Sequence, residues 1–182
     1  MPETPTRRAD AERNRQKILT AARTAFAEVD TDVSMAEISR RAGVGMATLY
    51  RNFPSRRELL EALYLDEVDA VCAAAETVAG DTPAERLEAW LRRFFEYFTS
   101  KRAVASELLA QTDADNPVFG QGYPRVVGAG RPLLAAAQEA GQVRADLTLE
   151  QVLELVVAVA RIQGDAAYVE PILQTVLDGL RT

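Results

Sequence analysis

Ser34-Met35-Ala36-Glu37-Ile38-Ser39-Arg40-Arg41-Ala42-Gly43-Val44-Gly45-Met46-Ala47-Thr48-Leu49-Tyr50-Arg51-Asn52-Phe53-Pro54-Ser55-Arg56-Arg57-Glu58-Leu59 is the stretch from which the rest of this chain is read. Ser34 and Glu37 stand three apart, the spacing of a capping box, in which a hydroxyl and a carboxylate take up the free N–H groups that open a helix. Met35, Ile38 and Ala42 fall inward on that helix, and Gly43 is placed to end it in a left-handed turn. A second short helix follows, from about Met46 to Asn52, with Leu49 and Phe53 four apart on one face. Pro54 stops it. Ser55 and Glu58 repeat the capping spacing and open a longer helix.

Two helices joined by a Gly-containing turn of three or four residues are what a helix-turn-helix requires, provided the second helix is free to enter a major groove. Ile38, Ala42, Val44, Leu49 and Phe53 supply the apolar positions that lock the pair. Met46, Ala47, Thr48, Tyr50, Arg51 and Asn52 project outward, a mixture of hydrogen-bonding and apolar tips suited to base edges and phosphates. The same spacing also fits two short helices at the corner of a bundle.

Outward from this stretch nearly every segment has helical period. Ile18, Ala22, Ala25, Phe26 and Val29 predict a first helix over about Ala11 to Glu28. The fourth helix, opened at Ser55, carries Leu60, Tyr64, Val68, Val71, Cys72, Ala75 and Val78 and ends at Gly80. Thr82-Pro83-x-Glu85 starts a fifth, with Leu87, Trp90, Leu91, Phe94 and Phe98 inward. A sixth covers about Lys101 to Leu109. Gln111 to Pro132 holds four Gly and three Pro and reads as a loop. A helix settles after it by Leu133 and ends at Gly141, although an earlier start with a kink near Gly128 fits equally. Thr148-x-Glu150 opens an eighth helix to about Gln163. Its Val-rich run, Val152 to Ala160, suits a strand by propensity, but a lone strand among helices has no partner. Pro171 starts the ninth, with Ile172, Leu173, Val176, Leu177 and Leu180 inward. The expected fold is all-α with about nine helices.

Composition removes whole classes of chemistry. The 182 residues include one cysteine and no histidine. A disulfide, a Cys-rich zinc site, His metal ligands and the Ser-His or Cys-His nucleophile pairs are therefore excluded. Catalysis by paired carboxylates is left, and no acidic pair stands out from solvated helix faces, so no enzyme, metal or cofactor is expected. The net charge of −6 is unevenly spread: residues 1–60 carry 11 Lys+Arg against 8 Asp+Glu, and residues 61–182 carry 10 against 19. A basic head on an acidic body suits a protein that meets phosphates at one end. The polar start Met1-Pro2-Glu3-Thr4-Pro5-Thr6 has no apolar core for a signal peptide, and Leu155 to Ala160 is too short to span a bilayer. A soluble cytoplasmic protein without membrane contact is the expectation.

Ala42-Gly43-Val44-Gly45-Met46-Ala47-Thr48-Leu49-Tyr50-Arg51-Asn52-Phe53-Pro54-Ser55-Arg56-Arg57-Glu58-Leu59 closely resembles the signature of the TetR family of transcriptional regulators, roughly AGV-x-x-GTLY-x-x-F-x-S-K-E-x-L. Ile18-Leu19-Thr20-Ala21-Ala22 and Phe26-Ala27-Glu28 match that family's first helix. The resemblance implies a helix-turn-helix domain over 1–55 and a helical effector-binding and dimerisation domain over 56–182. It implies that Ser34, Thr48, Tyr50 and Arg56 hold phosphates of a double-stranded operator while Met46, Ala47, Arg51 and Asn52 face bases. Ala47 stands in place of the usual Gly, Asn52 where His is common and Arg56 in place of Lys; none of these removes a DNA-binding group. A homodimer packed through the last two helices is implied as well, with Val152, Val156, Val159, Ile172, Val176, Leu177 and Leu180 at the interface. A small-molecule effector is expected among the middle helices, where Tyr64, Trp90, Phe94, Tyr97, Phe98, Phe119, Tyr123, Arg161 and Gln163 are the candidates. An aromatic stripe at helical spacing is also what a plain core looks like, and Arg161 and Gln163 also fit a helix end. The resulting expectation is a repressor that leaves a palindromic operator when ligand binds. The rivals are a helical binding protein without DNA affinity and a carboxylate enzyme.

Overall fold

The computed structural model describes the backbone of residues 5–27, 33–111 and 117–182, with side chains over 9–26, 33–99 and 122–182. Eight helices make up most of it: α1 Pro5–Ala27, α2 Met35–Ala42, α3 Met46–Asn52, α4 Arg56–Thr77, α5 Pro83–Gln111, α6 Pro117–Glu139, α7 Leu149–Ala160 and α8 Ala166–Asp178. Among the described residues the sole extended pairing is an isolated bridge between Val143 and Arg181. The all-α expectation holds.

The count falls from nine to eight because the expected fifth and sixth helices are one, α5. Thr99-Ser100-Lys101 contains neither Gly nor Pro, so nothing interrupts the backbone ladder there. From Pro117 on, the stretch left open between a loop and a kinked helix is helical, and α6 runs through both Pro124 and Pro132. A proline ring clashes with the carbonyl four residues earlier. In both cases that residue is a glycine, Gly120 and Gly128, whose backbone is freest to tilt the carbonyl aside. The last helix begins earlier than Pro171: Asp165 caps it, its carboxylate accepting the Tyr168 N–H at 2.9 Å.

The chain divides into two compact units, one of Met1–Asp66 with Arg102–Ala114, the other of Glu67–Lys101 with Asp115–Thr182. In the first, Ile18, Ala22 and Ala25 of α1 are fully buried, along with Ile38 of α2 and Leu49 of α3. In the second, Trp90 on α5 is fully buried and its indole N–H donates to the Val71 carbonyl at 3.1 Å. Gly130 of α6 presses directly on that ring: a Cβ there would lie 2.1 Å from Trp90 Cη2. Thr148 and Gln151 close a reciprocal capping box at the start of α7. The C-terminus is tied to the turn after α6 through Arg144 N–H to the Leu180 carbonyl, 2.9 Å, and Thr182 Oγ1 to the Gly141 carbonyl, 2.7 Å. No helix among the described residues is long and apolar enough to cross a membrane.

Candidate nucleic-acid interface

The turn between α2 and α3 is built by three adjacent devices. Gly43 adopts φ 64°, the left-handed conformation that side chains with a Cβ avoid. Its N–H reaches the Arg40 carbonyl at 3.2 Å, and the Val44 N–H reaches that of Ser39 at 3.1 Å. Ser39, the one buried polar residue of the described chain, donates its hydroxyl to the Val44 carbonyl at 2.6 Å. With these bonds made, α3 leaves the turn in one direction only, and Leu49 and Phe53, both buried, hold it against the unit's core.

What remains of α3 faces outward. Met46 and Tyr50 are large side chains left 40% and 46% exposed, and Ala47 and Arg51 are exposed beside them. Thr48 and Asn52 are half-buried. The Asn52 amide donates to the Thr48 carbonyl at 2.8 Å, so one of its hydrogens is already engaged inside the helix. Ser34 is exposed at the cap of α2, where its hydroxyl accepts the Glu37 N–H at 3.2 Å. Arg56 is half-buried: its guanidinium donates to the Val33 carbonyl and lies 5.4 Å from the centre of the Phe26 ring. It therefore ties the start of α4 to the approach to α2. All eight residues expected to touch DNA lie on this one unit, seven of them on or beside α2 and α3.

Charges missed by the sequence reading surround them. The Glu37 carboxylate, expected to complete a capping box, instead takes Arg40 and Arg41, each at 2.6 Å. Those hydrogen bonds, Arg40's first, hold it down at a pKa of about 2. Arg15 of α1 lies over the Phe53 ring, 4.6 Å from its centre. On another side of α1 an open groove of about 1010 Å³ is lined by Ala9, Arg13, Gln16, Lys17 and Thr20, with Arg41 of α2. Arg15 and Lys17 were legible as cations on a predicted helix; what they pack against was not.

The expected ligand residues fall in several places. Trp90, Phe94 and Tyr97 are buried along α5, with Trp90–Phe94 and Phe94–Tyr97 ring centres 6.2 and 6.0 Å apart. Half-buried Phe98 extends the row, 6.3 Å from Phe94. This is packed core. Tyr64 is buried in the other unit, and burial raises its hydroxyl pKa. Tyr123, Arg161 and Gln163 are exposed, and the Arg161 backbone N–H closes the end of α7. The Phe119 side chain lies outside the described residues. Cys72 is half-buried, and burial pushes its thiol up, away from the reactive thiolate.

The expected interface residues divide by exposure. Val152, Val156, Val159, Leu177 and Leu180 are buried within the single chain, so they face its own core; Ile172 and Val176 are half-buried. The large apolar side chains that α7 and α8 leave in solvent are Leu155, 42% exposed, and Tyr168, 61% exposed.

Comparison with known proteins agrees with this architecture at both ends. Residues 18–63 match the model of bacterial regulatory proteins of the tetR family, and residues 82–182 that of the C-terminal domain of SbtR-like transcriptional regulators. A TetR transcriptional regulator of Streptomyces coelicolor is similar in structure, with TM-score 0.81, 38% identity and coverage of 92% of this chain and 98% of that one. A TetR transcription regulatory protein of Mycobacterium vanbaalenii gives 0.79 and 32%, covering 96% and 99%. A helix-turn-helix transcriptional regulator of Staphylococcus aureus is 36% identical over 78 residues, a match spanning 41% of this chain and 40% of that relative. The chain belongs to the TetR family of DNA-binding transcriptional regulators.

Proposed function

We propose that the protein is a repressor that binds a palindromic operator as a homodimer and leaves it when a small molecule binds. The observation that carries this reading is the outward face of α3. A seven-residue helix buries Leu49 and leaves Met46, Ala47, Tyr50 and Arg51 to solvent, which is what a helix that reads a major groove requires. Repression, dimerisation and ligand response are typical of the family.

In this reading residues 1–55 are the DNA-binding domain and 56–182 the effector-binding and dimerisation domain. Ser34, Thr48 and Tyr50 bond phosphates and fix register, while Met46, Ala47 and Arg51 meet base edges. Asn52 reads through the amide hydrogen that Thr48 leaves free. Arg56 reaches a phosphate only by adjusting its bond to Val33, so its larger part is to hold the head's geometry. The dimer forms through α7 and α8 on the stripe of Leu155 and Ala158, with Ile162 just beyond α7, and Tyr168, Ile172 and Val176, spaced three and four apart as one helix face demands.

The test is selection of duplexes from a random pool by the purified protein, followed by sequencing. A two-fold symmetric motif, its half-sites separated by whole helical turns, is the expected outcome. Enrichment of no motif, or of an asymmetric one, overturns the palindromic reading.

A further inference from the structure

The cations of the head fall into two groups. Most are matched inside the chain: Arg13 by Asp10, Arg23 by Asp66, Arg40 and Arg41 by Glu37, and Arg57 by Glu61. Arg56 donates to a backbone carbonyl. Among the described residues Arg15, Lys17 and Arg51 have no carboxylate partner. Arg51 is already placed on the outer face of α3. That leaves two of the described cations of α1, and the helix separates them. At about 100° per residue, positions 15 and 17 lie on opposite sides. Lys17 lines the open groove with Thr20 and Arg41; Arg15 turns toward α3.

Arg15 also has an aromatic ring beneath it. Its guanidinium covers the ring of Phe53, the buried residue that ends α3. Stacking engages the face of the guanidinium and leaves its in-plane N–H donors free. The side chain is thus held in one place beside the C-terminal end of the recognition helix, half-exposed and with its charge unanswered. A guanidinium with those properties matches a phosphate oxygen pair. Holding it on Phe53 before DNA arrives removes much of the ordering cost that a free surface arginine meets on binding.

We propose that Arg15 is a further phosphate-binding residue: α1 delivers it, Phe53 holds it, and it clasps the DNA backbone at the end of α3. The clasp extends the footprint to a third helix, beyond Ser34 on α2 and Tyr50 on α3, and rests on the DNA-binding reading of this head. Because the contact is to phosphate, it is indifferent to sequence.

The experiment is the salt dependence of binding to a mixed-sequence DNA duplex, for the full chain and four variants. Each phosphate neutralised contributes about 0.9 to the slope of log K against log salt. Arg15→Gln should flatten the slope by about that amount per bound protomer. Arg15→Leu should do the same while keeping an apolar cover on Phe53, so that loss of fold in the Gln variant does not blunt the test. Arg15→Lys should restore the slope, and Lys17→Gln, on the far side of α1, should leave it unchanged. Unchanged slopes in folded Arg15→Gln and Arg15→Leu would reduce Arg15 to a cover for Phe53 and overturn the proposal. So would equal flattening by Lys17→Gln, which marks long-range attraction in place of contact. A wild-type chain with no salt-dependent binding would instead sink the DNA-binding reading itself.

Discussion

α3 and α7 are both short helices, and they dispose of their side chains in opposite ways. α3 has seven residues and buries one of them, Leu49, whereas α7 has twelve and buries seven. Neither length is stable alone, since isolated helices below about 12–15 residues are marginal in water. α7 is held by its own packing and by the Thr148–Gln151 box. α3 has no side-chain cap at Gly45 and is held from outside, by the Gly43 turn and by Leu49 and Phe53. A helix kept at the surface by so few anchors is there for what its other residues touch. Damage to the two should therefore separate: variants at the buried positions of α7 lose the fold, and variants on the outer face of α3 lose recognition.

The largest effect comes from two adjacent residues of α7. Val156 is fully buried and Leu155 is 42% exposed. Val156→Asp places an unpaired charge in the core, at a cost of several kcal/mol that rivals the whole stability of a domain. It should leave an unfolded chain by circular dichroism. Leu155→Asp should leave helix content intact and convert the proposed dimer to a monomer by light scattering. A folded Val156→Asp protein, or a Leu155→Asp dimer as tight as wild type, would dissolve the distinction between core and contact face.

On α3 the corresponding test is Arg51→Ala. Arg51 is exposed and meets no carboxylate among the described residues, so its loss should not move the melting temperature. A guanidinium against the O6 and N7 of guanine discriminates by roughly 1–3 kcal/mol. Preference at one base pair of each half-site should flatten while the others persist. Uniform weakening with an unchanged motif would reassign Arg51 to a phosphate.

Most of α3 was legible because a helix-turn-helix specifies both faces of its helices. Leu49 and Phe53 are so few as anchors that Met46, Ala47, Tyr50 and Arg51 are left to point outward. α7 gave no such guide. Its run from Val152 to Ala160 is apolar nearly all round, so periodicity could not tell the residues covered by the chain itself, such as Val156, from the one left over, Leu155. The same blindness applied to Trp90. An aromatic at helical spacing fits a core or a pocket, and the approach of Gly130 to its ring was not legible. The start of α6 stayed open because Pro124 and Pro132 are strong local breakers, and the glycines four residues before them are a compensation visible only once the helix is known. Arg15 was an ordinary cation until Phe53 was found beneath it.

A finer comparison uses two glycines in the same conformation. Gly43 and Gly141 have φ 64° and 65°, and a Cβ at either meets nothing within 4 Å. Gly→Ala at each should cost about 1 kcal/mol, from the left-handed backbone alone. The melting transitions should shift alike. DNA binding should not: Gly43→Ala disturbs the turn that aims α3, while Gly141→Ala leaves that turn untouched. Equal affinity in the two variants would show that the aim of α3 is set elsewhere than at Gly43.

The smallest effect is expected from Tyr50→Phe, which removes one oxygen. Tyr50 is 46% exposed, so its hydroxyl is hydrated in the free protein and nothing in the fold depends on it. Stability should be unchanged. On DNA the hydroxyl is assigned to a phosphate, and a net hydrogen bond of this kind is worth about 0.5–1.5 kcal/mol, a few-fold to roughly tenfold in affinity. Because every base pair carries the same phosphate, the loss should be equal on all sequences and the selected motif should not change. The phenol is uncharged and displaces no counterion, so the slope of log K against log salt should stay at the wild-type value, unlike the flattening expected when an arginine is removed. Parallel lines on that plot, offset downward, are the expected result. A change of preference at one base pair would move Tyr50 from the backbone into the groove, and the division of α3 into positioning and reading residues would have to be redrawn around it.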